Sequence, residues 1–401
     1  MPRDRMLFAS SIAKIQEPDA AAEAVLQGVS RQLNGSPCNA AFLFATALSP
    51  GQWEPIVRRI RQELKDPLLI GCTGGGVVGG DKEMEFTPAL SLVAARLPDV
   101  ELHPFAISPE DLEEPRDSGF WIEKLGCPPQ EEPVGVLLPE PFSCDVMGLV
   151  AALNRVYPKM PFIGGIASGV EPEGGIGLFL NDQVIQEGAV GLLLTGNVTL
   201  ETIVSQGCRP IGRPYIITKA EGNILLELAG LPAAEALRNL FLSLSDGDKG
   251  LARRALLLGV VMNEQKERFG RGDFLIRNLI GMDPESGGIA VGDHHIRVGQ
   301  TVQFQVRDAE SSREDLGILL KEHSEKLAGS SPAGALLFSC LGRGRDLYGE
   351  SDYDSRTIQA AVGPCPMAGF FCNGEIGPVG GHNFIHGFTS SLGLFRPRVN
   401  P

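Results

Sequence analysis

Short apolar runs that end in small or glycine-rich segments recur along this chain. Between them lie stretches whose apolar positions follow helical spacing. The run AFLFATALSP (41–50) leads into GQWEPIVRRIRQELK, where Trp53, Ile56, Val57, Ile60 and Leu64 share one helical face. PLLIGCTGGGVVGG (67–80) reads as a strand that stops in a glycine loop. FTPALSLVAARLPDVELHPFAIS (86–108) reads as two strands joined at Leu97-Pro98-Asp99, a hairpin or near-hairpin. The plan returns as VGVLLPEPFS (134–143), CDVMGLVAALNRVY, PFIGGIASG (161–169), a hairpin about Asn181-Asp182, and AVGLLLTGNVTLETIVSQG (189–207). It returns again as GALLFSCLGRG, DLYGESDYDSRTIQAAVG, PMAGFFCNGEIGPVGG and FTSSLGLFRP (388–397). Ala89 and Leu92 match Ala189 and Leu192, and Phe388-Thr389-x-x-Leu392-x-Leu394 repeats Phe86-Thr87-x-x-Leu90-x-Leu92. The offset is too long for a solenoid period and predicts repeated β-α-β-glycine-loop-hairpin units.

A different block, 213–330, separates the second and third copies. It predicts a hairpin about Glu221-Gly222-Asn223, a helix opening at Pro232, and strands at 256–262, 274–282, 288–292 and 301–309. Proline and glycine concentrate in QGCRPIGRP, which ends at Pro214 and marks the boundary between domains at 1–207 and 208–401. The expected fold is α/β, with two packed domains of mixed β-sheets flanked by helices.

Composition narrows the function classes. The 401 residues are 43% hydrophobic, a globular balance, and 35 basic against 49 acidic residues leave a net charge of −14. With no long basic run, nucleic acid and anionic membrane are not expected partners. No stretch approaches the ~18 consecutive apolar residues of a membrane span, and the N-terminus lacks a signal-peptide core. Eight scattered cysteines include no CxxC, and no Cys/His spacing suits zinc. Neither a metal nor a cofactor is expected. Free thiols in a reducing cytoplasm fit this pattern.

Candidate chemistry gathers in the third copy. Cys340 precedes Gly342-Arg343-Gly344-Arg345, where either Arg343 lowers the thiol pKa and the stretch binds a carboxylate or phosphate, or Arg343 and Arg345 pair with Asp346 or Glu350 on the surface. Cys340 itself is either a pocket thiol or a small core residue. Asn373-Gly374-Glu375 is either a simple turn or a turn carrying a buried carboxylate that needs a cation or a ligand amine. Cys72, in the glycine segment of the first copy, is a candidate second wall or a core residue. No P-loop is present, and no dinucleotide-binding fingerprint opens a helix.

Taken together, IGCTGGGVVGG, FGRGDFLIRNLIGMD (269–283), GQTVQFQVRDA, LLFSCLGRG and GFFCNGEIGP resemble the FIST proteins (F-box and intracellular signal transduction), from about residue 40 to 390. The resemblance implies N-terminal and C-terminal FIST domains and a sensory role in signal transduction, with small ligands such as amino acids. A signalling protein partner is implied as well. No kinase, cyclase or F-box segment is evident, so a stand-alone cytoplasmic ligand-binding protein is expected. A protein-interaction scaffold is the alternative, and an enzyme using Cys340 as nucleophile comes after it. The expected ligand site comprises Cys340, Gly342, Arg343, Gly344, Asn373, Gly374, Glu375 and Cys72. Glu375 would meet an amine and Arg343 a carboxylate.

Overall fold

The computed structural model describes residues 5–46, 50–169, 175–283, 285–293, 296–326 and 331–398. The end of the first apolar run, 47–49, lies outside them. The architecture is mixed α/β, as expected, and it divides into two compact units.

The first unit takes the chain up to Val204, then Ile318–Ile385 and the segment from Thr389. It holds three six-stranded sheets. Each is built on a parallel pair: Ala40–Ala45 with Leu68–Thr73, Val134–Pro139 with Phe162–Gly165, and Gly334–Cys340 with Met367–Cys372. In each, the first strand of the pair is flanked on its other side by an antiparallel strand, respectively Ala89–Arg96, Ala189–Gly196 and Thr389–Arg396. An outer strand follows: Leu7–Lys14, Val100–Ile107 and Thr199–Gln206.

The other edge of each sheet is a two-stranded segment contributed by a different copy. The 76–85 segment of the first copy joins the sheet of the third, and the 178–185 segment of the second joins the sheet of the first. The 375–386 segment of the third copy joins the sheet of the second. The inner faces of all three sheets supply one apolar cluster, including Phe42, Phe44, Val136, Ile163, Phe338 and Phe370. The outer face of the first sheet packs on helices Pro18–Leu33 and Pro50–Glu63, and that of the second on Ser118–Leu125 and Val146–Val156.

Two expectations are corrected by this topology. Ala89–Arg96 and Val100–Ile107 do not pair as a hairpin: Leu97-Pro98-Asp99 carries the chain from one sheet into the next. The glycine segment 76–79 is not a loop but a strand, antiparallel to Met367–Cys372.

The second unit spans Ser205–Gly317 with His386–Phe388. Pairing of Leu256–Val261 with Thr301–Arg307 closes six of its strands into a ring, packed on helices Ala233–Ser243 and Asp246–Arg254. The first unit runs to Val204, and the segment expected as one domain, 208–401, is divided between the two units. Its last part supplies the third sheet of the first unit, because the exchanged segments tie the three copies together.

Three glycines occupy matching positions in the parallel pairs. Gly71, Gly164 and Gly369 register with Leu43, Leu137 and Leu337, and a Cβ on any of them would lie 1.8–1.9 Å from that leucine's carbonyl oxygen. Side chains cannot be accommodated there without separating the strands. Gly369→Ala is therefore expected to cost about 3 kcal/mol or more in denaturant unfolding. Gly281→Ala, with nothing within 4 Å of the added methyl, should change stability by no more than about 0.5 kcal/mol.

Candidate functional site

The three parallel pairs end where the chain crosses between sheets, and the crossings meet one another. Ser168 is the junction. Its backbone N–H donates to the Thr73 carbonyl at 3.2 Å. Its fully buried hydroxyl accepts from the Gly75 N–H at 2.9 Å and donates to the Phe371 carbonyl at 2.6 Å. Ile166 N–H donates to Gly374 O at 2.8 Å, and Asn373 N–H returns the bond to Ile166 O at 3.0 Å. The carboxyl ends of parallel strands are where open α/β sheets place ligands.

The expected residues of the third copy do gather here, with different partners. Arg343 is 1% exposed. Its Nε and Nη2 donate to the two carboxylate oxygens of Asp354 at 2.7 and 3.0 Å, and Nη2 also donates to the Tyr348 hydroxyl at 2.6 Å. That hydroxyl in turn donates to Asp354 at 2.8 Å. Burial opposes the guanidinium charge, but Asp354 and Tyr348 outweigh it and hold the pKa above its ordinary value. Arg343 thus pairs inward with Asp354, not on the surface with Asp346 or Glu350.

Glu375 is fully buried. One oxygen accepts from the backbone N–H and hydroxyl of Thr389 at 3.0 and 2.6 Å, and the other from the Cys372 thiol at 3.3 Å. Burial raises its pKa to about 7, against the opposing hydrogen bonds of Thr389 and the field of Arg343. The turn therefore does carry a buried carboxylate, and the protein itself supplies hydroxyl and thiol partners for it.

Cys340 is partly exposed at the end of its strand, level with Cys372 on the neighbouring one. Its sulfur accepts from Gly342 N–H at 3.4 Å. Gly344 has φ +61°, and a Cβ there would lie 2.4 Å from a carboxylate oxygen of Glu85. That carboxylate accepts the Arg345 N–H at 3.0 Å, so this amide of the glycine loop already has a partner. Asn373 and Gly374 serve the crossing, with Asn373 Nδ2 also 3.4 Å from Ala167 O. Cys72 is buried in the central apolar cluster that also contains Cys372, and burial pushes its thiol pKa well up.

Residues that the sequence did not single out complete the site. Ser339 and Ser390 register across adjacent strands, both buried, and neither hydroxyl has a hydrogen-bond partner. Glu83, from the exchanged segment of the first copy, accepts Ser355 N–H at 2.8 Å on one oxygen, while the other is buried without a partner. Burial, then the nearby Asp354 charge, push its pKa up to about 8. Asp352 accepts the Glu83 N–H at 2.7 Å and pairs with Arg356 and Lys82. Only the matching turn pattern of FTPAL and FTSSL hinted that Thr389 and Ser390 lie at a strand start.

Among known proteins, a model described as the FIST N domain matches residues 39–231, and one described as the FIST C domain matches 233–378. An uncharacterized protein of Mycobacterium tuberculosis is 38% identical over 376 residues, covering 94% of this chain and 96% of its own length. Another, of Mycobacterium bovis, is 37% identical over 381 residues with the same coverage. A cyanuric acid hydrolase from A. caulinodans aligns over 98% of this chain and all of its own, at 8% identity and a TM-score of 0.39, a similarity too low to transfer anything to this site.

Two outcomes follow from the buried charges. Removing Asp354 leaves a buried guanidinium without its carboxylate, so Asp354→Ala is expected to lose about 3–5 kcal/mol in chemical denaturation. The Glu83 carboxyl binds its proton more tightly in the folded protein than in the unfolded chain. Its contribution to stability is complete below its ordinary pKa of 4.5 and is lost as pH rises to about 8. Glu83→Gln should therefore gain stability over the parent across that window, by up to about 1.4 kcal/mol per pH unit, as thermal melts at pH 5 and pH 8 would show.

Proposed function

The chain belongs to the FIST family, whose domains are associated with sensory roles in signal transduction, and we propose that it is a cytoplasmic sensor that binds a small polar ligand beyond the carboxyl ends of Gly334–Cys340 and Met367–Cys372. The observation that carries this reading is the pair of buried, unpartnered hydroxyls, Ser339 and Ser390. Buried polar groups are almost always hydrogen-bonded, and two orphans side by side next to ionisable groups suit a ligand with its own donors and acceptors. Eight free cysteines accord with a reducing compartment, and among the described residues no helix is long and apolar enough to cross a membrane.

An amino acid is the ligand class this arrangement accommodates best. Glu375 titrates near neutrality and would meet the ammonium group as a carboxylate. Arg343, its charge shared with Asp354, would supply the positive field for the ligand carboxylate. Cys340 and Asn373 would fix orientation.

Calorimetric titration with the proteinogenic amino acids tests this reading. Binding to at least one is expected, tightening as pH rises from 6 towards 7 and levelling above it, because only ionised Glu375 pairs with an amine. Replacing both serines (Ser339→Ala with Ser390→Ala) should weaken binding at least tenfold. An intact fold that gives no heat with any amino acid would sink the amino-acid assignment.

A further inference from the structure

A second cluster lies in the sheet of the middle copy, away from the residues discussed above. His103 sits on the edge strand Val100–Ile107, and Cys127 and Glu131 on the segment that follows helix Ser118–Leu125. His103 Nε2 is 3.9 Å from a Glu131 carboxylate oxygen, and the Cys127 sulfur is 3.7 Å from the same oxygen. One ligand atom from each of the three residues falls within 4.8 Å of the other two. Glu101 places a carboxylate oxygen 4.0 Å from His103 Nε2, and the Thr195 hydroxyl is 3.4 Å from it.

We propose that His103, Cys127 and Glu131 form a zinc-binding site, with Glu101 or water in the fourth position. Imidazole nitrogen, thiolate sulfur and carboxylate oxygen together form a set that suits Zn²⁺. Bond lengths of roughly 2.0–2.3 Å about a tetrahedral ion place neighbouring ligand atoms roughly 3.3–3.7 Å apart. The two separations to the Glu131 oxygen need contract by only a few tenths of an ångström, and the third, within 4.8 Å, by at most about an ångström. The cluster borders a surface cleft lined by Asp99, Glu101, Glu131 and Thr195, which gives an ion a path in. Arg398 also lines the cleft, and its guanidinium pairs with Glu132 at 3.3 Å.

Cys127 forms the floor. Its side chain is buried, and the Tyr157 hydroxyl holds its carbonyl at 2.6 Å, which fixes the backbone behind the sulfur. A cation takes the Cys127 sulfur as thiolate, so its binding displaces the thiol proton to solvent, and affinity should fall as pH is lowered.

Cobalt serves as a spectroscopic probe. The full chain, stripped with a chelator, should take up one equivalent of Co²⁺ and show thiolate-to-cobalt charge-transfer and tetrahedral d–d bands. Zn²⁺ should then abolish both. Cys127→Ser should lose the charge-transfer band, whereas Cys38→Ser should keep it. Glu131→Gln, at an exposed position, and His103→Gln should each weaken Co²⁺ binding at least tenfold with unchanged circular dichroism, so a folding defect in Cys127→Ser leaves the test intact. A parent protein with no stoichiometric cobalt spectrum, or one whose charge-transfer band survives Cys127→Ser, would overturn the assignment.

Discussion

The Ser168 hydroxyl holds together what the rest of the first unit needs together. It accepts from the crossing of the first copy at Gly75 and donates to that of the third at Phe371, while its own backbone bonds Thr73. Each crossing delivers a two-stranded segment to another copy's sheet, so each sheet is complete only when the crossing of another copy is seated. The junction is buried, so each of its polar groups lost from pairing would cost more than the bond contributes. Hydrogen bonds this local therefore fix strand pairings across the whole length of the chain.

The same exchange creates the polar cluster of the third copy. Glu83 and Glu85 arrive on the first copy's segment and meet the 344–355 region of the third, where their carboxylates accept the backbone N–H groups of Ser355 and Arg345. Arg343 neutralises Asp354 within that cluster, and Glu375 relies on a hydroxyl, an amide and a thiol. A site of this kind presents little net charge. The ligand proposed for it would be selected by where its donors and acceptors fall, more than by long-range attraction.

Much of the fold could be read from the sequence, because period and punctuation are local. The parallel strands and the helices between them, the Asn181-Asp182 turn and the strands of the 213–330 block all follow from apolar spacing and turn residues. Pairing could not be read in the same way. Leu97-Pro98-Asp99 looks like a hairpin because a chain reversal and a switch between sheets use the same residue types. Arg343 and Glu375 were visible as charges set among apolar residues, but Asp354 and Glu83 were not. Their significance comes from partners that no local pattern marks: Glu83 bonds Ser355 from far away in sequence, and Asp354 is separated from Arg343 by a short helix. His103 and Cys127 likewise match no short metal motif, since one lies on an edge strand and the other in a later loop.

The exchanged segments also determine when the molecule can finish folding. As the chain leaves the ribosome, strand Gly76–Gly79 emerges nearly 290 residues ahead of the strand it pairs with, Met367–Cys372. Until then its backbone groups and the apolar faces of Val77 and Val78 have no sheet to join. Contacts so distant in sequence slow folding, and unpaired edges invite association with other chains. The nascent protein therefore carries an open edge for as long as the intervening residues take to make.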